Sequence, residues 1–214
     1  MIDSDFSGLL GYAERHTSPE SVWLKEIREE TEREVRSPHM LSGHLQGRLL
    51  ALLSNLIQPE FILEIGTYTG YSALCLAEGV RQKVVTIEQD ATLEERIRKN
   101  LSRSPLLNKV DLKIGSARNV IPELNQTFGL VFIDADKKAY ADYYDMIFPK
   151  VLSGGLILVD NVLWKGKVMD EVQDARTASI VAFNKKILND SRVEPLLLPL
   201  RDGLLIIRKK PENQ

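Results

Sequence analysis

Cysteine is almost missing from this sequence. Cys75 stands alone among 214 residues, which excludes an internal disulfide framework and suits a reducing compartment. It falls in the stretch following a glycine turn, where a thiol serves as a small core residue. Long apolar runs are missing too: none approaches the roughly 20 residues that span a bilayer. The acidic start, Met1-Ile2-Asp3-Ser4-Asp5, has no basic-then-apolar targeting pattern. A cytoplasmic, soluble protein with no membrane partner is the expectation. Neither sign of charge dominates, with 27% charged residues and a formal net charge of −2. A strong pull toward nucleic acid or anionic lipid is therefore not expected. His16, His39 and His44 have no metal-ligand spacing and read as surface or packing residues. Without repeats, low-complexity tracts or linkers, the chain reads as one domain over 1–214, a helical extension over 1–40 followed by a core over 41–210.

What is present centres on Phe61-Ile62-Leu63-Glu64-Ile65-Gly66-Thr67-Tyr68-Thr69-Gly70-Tyr71-Ser72. Four of its first five residues are apolar, which predicts a short buried strand. Two glycines then break it, and Tyr71 to Glu78 predicts a helix packing back on the sheet. Strand, glycine turn and helix N-terminus open a nucleotide-binding α/β sheet. The spacing departs from the dinucleotide fingerprint, because Tyr68 stands where a close-approach glycine belongs. That bulk leaves more room for a ligand without phosphate. A second strand, Val84 to Glu88, ends in an acid 22 residues after Gly66, a distance suited to a pair of ribose hydroxyls.

Upstream, Thr17-Ser18-Pro19-Glu20 predicts the start of a helix over 18–35, with Leu24, Ile27 and Val35 as a sparse apolar face in need of a partner surface. A second helix over 41–56 carries Leu45, Leu49, Leu52, Leu53 and Leu56 along one face. Downstream, strands are predicted at 61–65, 84–88, 110–114, 129–133 and 155–160, alternating with helices at 71–79, 91–103, 138–148 and 177–189. Such alternation argues for a parallel sheet with helices on both faces. The tail differs: Val193 to Leu198 and Leu204 to Arg208 flank an Asp202-Gly203 turn, an antiparallel hairpin at one edge.

The chemistry gathers at two strand ends. One strand, Gly129 to Ile133, runs into Asp134-Ala135-Asp136-Lys137, and another, Gly155 to Val159, runs into Asp160-Asn161. If the two are neighbours, about 4.8 Å apart, then Asp134, Asp160 and Asn161 converge. Two carboxylates and an amide oxygen are hard donors suited to Mg²⁺, or to Mn²⁺ or Ca²⁺. The competing role for either aspartate alone is to cap the helix that follows it.

The blocks Glu64 to Ser72, Phe132 to Lys137 and Asp160-Asn161-Val162-Leu163-Trp164-Lys165-Gly166 together resemble the metal-dependent class I O-methyltransferases, the catechol and caffeoyl-CoA type with its small bacterial members. The resemblance runs from about Met40 to Arg208. It implies a Rossmann-like class I methyltransferase fold, a seven-stranded mostly parallel sheet whose last strand is antiparallel. S-adenosylmethionine as methyl donor and a divalent metal are implied with it. Carried over residue by residue, Glu64, Gly66, Tyr68 and Ser72 match the donor's methionine half, and Glu88 matches the ribose acid. Ser116 and Ala117 match the adenine neighbourhood, Met40 a donor contact, and Asp136 a residue near the donor's amino group. Asp134, Asp160 and Asn161 match the metal ligands, Asp134 thereby lying in both the donor and the catalytic sets. Lys137 matches the proposed general base, and Trp164 a wall facing the substrate.

The acceptor implied is a small hydroxylated aromatic molecule, a vicinal diol able to chelate the metal, and a homodimer is expected. Here Lys167 to Ser179 is short, polar and free of aromatics, which predicts a more open acceptor pocket than in the plant caffeoyl-CoA enzymes. Asp202 only loosely matches a late acid of the catechol branch, and no role is transferred to it. Three alternatives stay open: a metal-independent methyltransferase of the same fold, a nicotinamide oxidoreductase, and a non-catalytic binding or tRNA-acting protein, such as one methylating a hydroxylated tRNA base. The missing glycine fingerprint counts against the second and the weakly acidic charge against the third.

Overall fold

The computed structural model describes residues 6–211. Two helices come first, α1 (Phe6–Arg15) and α2 (Val22–Glu34), then α3 (Gly43–Ile57) after a 3-10 turn at Pro38–Met40. Strand and helix then alternate through β1 (Phe61–Ile65), α4 (Tyr71–Ala77), β2 (Lys83–Glu88), α5 (Glu94–Ser102), β3 (Val110–Ile114), α6 (Ala117–Glu123), β4 (Phe128–Ile133), α7 (Tyr140–Ile147) and β5 (Val151–Asp160). Helix α8 (Ala175–Leu188) precedes the hairpin of β6 (Val193–Leu198) and β7 (Leu204–Lys209). None of the helices among the described residues is long and apolar enough to cross a membrane.

The strands form one seven-stranded sheet in the order β3-β2-β1-β4-β5-β7-β6. Strands β1 to β5 pair in parallel, and β7 lies antiparallel between β5 and β6. Because the inner strands carry helices on both faces, they are apolar without alternation; every residue of β4 is buried. Leu63, Val85, Val131 and Ile157 belong to the core on one face, with α7 and α8 supplying Tyr144 and Phe183. Ile62, Val84, Leu130 and Leu158 point to the other, against Leu50 and Leu74.

Several details differ from the sequence expectation. Helix α2 starts at Val22 rather than at residue 18, since Glu20 is used elsewhere: its carboxylate accepts from Arg28 Nε at 3.0 Å and from the Tyr71 hydroxyl at 2.6 Å. The apolar face of α2 is covered by the chain itself, with Leu24 and Ile27 fully buried beside Tyr71 and Leu74. Helix α3 turns its other side inward. It buries Gln46, Gly47, Leu50, Ala51 and Ser54, whereas Leu52 and Leu56 are 56% and 71% exposed. The reason is proximity: α3 crosses α4 so closely that a Cβ on Gly47 would stand 2.7 Å from the Tyr71 ring. Only a glycine fits such a crossing at that point, so Leu52 and Leu56 are left outside while Leu49 and Leu53 pack at the margin of the core. Helices α1 and α6 had no counterpart in the sequence reading, and β5 begins four residues before the expected strand, at Val151 rather than 155.

Candidate active site

Strand β1 is the point where the order of the sheet reverses, with β2 on one side and β4 on the other. Crevices open at the carboxyl ends of strands at such a point. The register makes those ends level, Ile65 pairing with Ile87 and Ile133, and Ile133 with Val159. Just beyond them lies a cavity of about 1210 Å³, whose wall includes Gly66, Tyr68, Glu88, Asp134, Asn161 and Trp164. That exceeds the few hundred cubic ångströms of a single small-ligand pocket and leaves space for two ligands side by side.

The glycine after β1 has a steric reason. Gly66 has φ +103, and a Cβ there would lie 2.0 Å from the carbonyl oxygen of Asp134. Its N–H donates to Ile87 O, and Asp134 N–H donates to Ile65 O, each at 2.9 Å, so the first residues past β1 and β4 are locked together. Tyr68 follows in the left-handed region at φ 53. Its N–H donates to Glu88 Oε2 at 2.7 Å, and Asp90 N–H donates to Glu88 Oε1 at 2.8 Å. Each Glu88 oxygen is thus oriented by one backbone N–H and keeps a lone pair for a ligand. The Tyr68 hydroxyl donates to Ser37 O at 3.0 Å, which ties the glycine turn to the segment before the 3-10 turn at Pro38–Met40.

Not every residue expected on this side faces the cavity. Ser72, Met40 and Ala117 are in its wall, Met40 being half exposed. Ser116 is not; its neighbours Gly115 and Ala117 are, because the chain turns outward at the N-terminus of α6. Glu64 is fully buried beneath the glycine turn. Its Oε2 accepts from the Thr86 hydroxyl and its Oε1 has no protein partner. Burial pushes its pKa up to about 8, against the pull of hydrogen bonds from Ser72 and Thr86.

On the other side, Lys137 Nζ donates to Asp134 Oδ1 at 2.7 Å, and both side chains are mostly covered. Asp136, also in the cavity wall, accepts from Lys138 N at 3.2 Å and so caps the turn that carries Lys137. Asp160 is 1% exposed and lies behind the wall rather than in it. Its Oδ1 accepts from Asn161 N and its Oδ2 from Gln46 Nε2, both at 2.8 Å. Burial, then the charge of Asp134, raise its pKa above the usual carboxylate range. Mutual repulsion of two such carboxylates is what a bound cation relieves. Asn161 takes φ 59, a left-handed conformation that asparagine tolerates, and lies in the wall. Among the described residues no three His, Cys, Asp or Glu side chains converge as a metal cluster. The candidate donor set is therefore two carboxylates and one amide, all oxygen, a set fit for a hard divalent ion.

The other end of the cavity is built from the loop after β5. Trp164, Lys165 and Gly166 take φ values of 48, 56 and 77 in succession, left-handed conformations that kink the chain between two short helical turns within 164–169. The Arg176 guanidinium stands 5.6 Å from the centre of the Trp164 ring. Gly203 packs so tightly beneath this loop that a Cβ would meet Leu163 Cγ at 2.5 Å. In the stretch 167–179, Met169 and Val172 are exposed, and α8 already begins at Ala175.

Several wall residues carry no role in the sequence analysis. Lys165 lies inside a quoted block without one, and Arg176 belongs to no motif. Arg201 lies in the turn between β6 and β7. His39, taken for a surface or packing residue, is exposed yet lines the cavity. His16 and His44 instead bond Tyr12 O and Ser18 O, at 2.8 Å each.

Comparison with known proteins bears on this geometry. The sequence model described as O-methyltransferase matches residues 14–210. A catechol O-methyltransferase from Niastella koreensis is 34% identical over 211 residues, covering 93% of this chain and 90% of that protein. A caffeoyl-CoA O-methyltransferase from Populus kitakamiensis is 31% identical over 202 residues, covering 87% and 86%. Among solved structures, a Podospora anserina methyltransferase with SAH bound superposes with a TM-score of 0.89 at 29% identity, covering 98% of this chain and 97% of that one.

Proposed function

The chain belongs to the O-methyltransferase family, and from that premise we propose that it transfers a methyl group from S-adenosylmethionine to one hydroxyl of a vicinal dihydroxy-aromatic small molecule beside a divalent cation. The observation that carries this reading is one cavity with two chemically distinct walls. Glu88 and the Gly66 turn form a wall suited to a nucleoside with a short charged tail. Asp134, Lys137 and Asn161, with Asp160 directly behind, form an oxygen-rich wall across from it.

Each side chain then has a task. Glu88 accepts both ribose hydroxyls with the lone pairs that Tyr68 N and Asp90 N leave free. Gly66, Tyr68, Ser72 and Asp136 surround the amino-acid tail, Met40 covers the donor, and Ala117, with Ser116 at the edge, borders the adenine. Glu64 acts from below by holding Ser72 and Thr86. Asp134, Asp160 and Asn161 hold the cation. S-adenosylmethionine, when bound, supplies a methyl on a positive sulfur, and a divalent ion, when bound, acidifies a nearby hydroxyl. Lys137 Nζ would receive the proton of the attacking hydroxyl once it has itself lost one, a loss that the positive charge of a bound cation favours, and its contact with Asp134 fixes where it waits. Trp164 walls the aromatic ring and limits the angles from which the oxygen can approach.

A cytoplasmic homodimer acting through one catalytic unit completes the reading. The face of α2 is already covered, so the subunit contact is assigned to the exposed leucines of α3. Burying a leucine of that kind contributes about 1.5–3 kcal/mol.

The test is a methyl-transfer screen with Mg²⁺ against catechol, caffeic acid, caffeoyl-CoA, a simple phenol and hydroxyuridine-containing tRNA, each repeated with excess EDTA. Turnover of the diols alone, lost in EDTA and restored by Mg²⁺ or Mn²⁺, is expected. Equal rates on catechol and phenol, full activity in chelator, or activity on tRNA alone would each overturn the reading.

A further inference from the structure

Asp160 makes no direct wall of the cavity, so its usefulness as a ligand depends on what aims it. Apart from Asn161 N, the partner of its carboxylate is Gln46, a fully buried amide from α3. That amide is oriented in turn: its Oε1 accepts from Arg201 Nη1 at 3.2 Å. A guanidinium only donates and a carboxylate only accepts, so the residue between them must accept at one end and donate at the other. Glutamine does so in one of its two flips, and the two charged neighbours select that flip.

Arg201 has more to do. It sits at φ 50 in the turn between β6 and β7. Its Nη2 donates to Leu41 O at 2.8 Å and its Nη1 to Ser42 O, the carbonyls that follow Met40 in the cavity wall. The residues beside it hold the acceptor loop: Leu163 N–H donates to Asp202 O at 2.9 Å and Val162 N–H to Gly203 O at 3.1 Å. One short turn thus touches the donor cover, the acceptor loop and, through one amide, the aspartate behind the wall.

We propose that Gln46 and Arg201 are positioning residues that aim Asp160 at the cation and link that aim to the seating of the 38–42 segment over the donor. This rests on the cation site proposed above. Partners at this remove from a metal typically change its affinity by 10–100-fold when removed. Linkage adds a second signature. If the cation tightens donor binding by some factor, the donor tightens cation binding by the same factor, and both lose it when the link is cut.

The experiment uses the full chain and two ligands, Mn²⁺ followed by electron paramagnetic resonance and S-adenosylmethionine followed by calorimetry, each titrated with and without the other. Gln46→Met keeps the length of the side chain and loses both hydrogen bonds. Arg201→Lys keeps the charge but cannot fork between Gln46 and the two carbonyls. Gln46→Met is expected to weaken Mn²⁺ by about 10-fold or more, with the donor's affinity in the absence of Mn²⁺ unchanged. Arg201→Lys is expected to weaken Mn²⁺ in the same direction, although Arg201 does not touch Asp160. In both, the gain in donor affinity brought by Mn²⁺ should shrink. Melting curves establish that each variant folds; should Gln46→Met fail to fold, Arg201→Lys carries the same expectation. A folded variant pair with unchanged Mn²⁺ affinity, beside a parent that binds Mn²⁺, overturns the inference alone. So does an equal loss of donor affinity in cation-free Gln46→Met, which marks a structural role. A parent that takes up no Mn²⁺ overturns the cation reading and this inference with it.

Discussion

Glu64 gives the sharpest link between the buried chemistry of this site and a bulk measurement. It is 0% exposed, one of its oxygens is unpartnered, and burial lifts its pKa from 4.5 to about 8. Between those two values the folded chain holds a proton that the unfolded chain has released. By linkage, each pH unit in that window then costs the folded state up to about 1.4 kcal/mol. The stabilisation from the neutral carboxyl is complete below 4.5 and is lost as pH rises through about 8. From pH 5.5 to 7.5 the loss amounts to roughly 2–3 kcal/mol. Glu64→Gln keeps the shape, can still bond the Thr86 hydroxyl, and does not titrate. Any fixed penalty of the substitution cancels when the same variant is compared at two pH values, as does the contribution of Asp160, present in both proteins. Urea unfolding at pH 5.5 and 7.5 should show the parent losing about 2–3 kcal/mol more than Glu64→Gln across that interval. Parallel pH dependence in the two proteins would mean that Glu64 is ionised in the fold, and the account of its burial would be wrong.

Other perturbations address the cavity itself. Glu88→Ala should weaken S-adenosylmethionine by roughly 2–3 kcal/mol, because two hydrogen bonds to a carboxylate are lost; calorimetry returning the parent's dissociation constant would remove Glu88 from the donor site. Lys137→Ala should lower turnover of a diol by about 10²-fold or more with donor affinity nearly intact, and single-turnover kinetics at parental rate would rule out its role as base. Leu52→Asp with Leu56→Asp should convert a dimer into monomers by light scattering without lowering the melting temperature by more than a few degrees, since both side chains are already exposed; a parent that is itself monomeric at micromolar concentration ends the homodimer reading.

Much of this architecture was legible because its signals are local. Strands β1, β2 and β4 are mostly apolar runs of five or six residues and β5 is a run of ten, each ending at or just before a glycine or an acid, and the acids at the ends of β2, β4 and β5 are the ones found around the cavity. Helix α3 was legible as a helix but not in its facing. It carries a leucine stripe and a small-residue stripe, and only the closeness of α4 decides between them. Glu64, inside a quoted block, and Ser116, just past β3, are where the resemblance puts them along the chain yet lie outside the cavity wall, because a motif locates a backbone and not the direction of every side chain. Gln46 and Arg201 were beyond reach, since a contact between residues 114 apart along the chain, 46 and 160, leaves no periodicity to read.

The place of β7 in the sheet has a consequence for how the protein is made. Strand β5 gains its second neighbour only from residues 204–209, so a chain emerging from the ribosome exposes the backbone edge of that ten-residue strand until those residues have followed it. An open apolar edge of that kind invites pairing with another nascent chain. Arg201 comes just before those late residues, so a chain ending at residue 190 also lacks the guanidinium that bonds Gln46 Oε1 on the side away from Asp160. Pulse proteolysis of a chain ending at residue 190 should find β5 unprotected; full protection there would mean that the edge is guarded by something other than the hairpin.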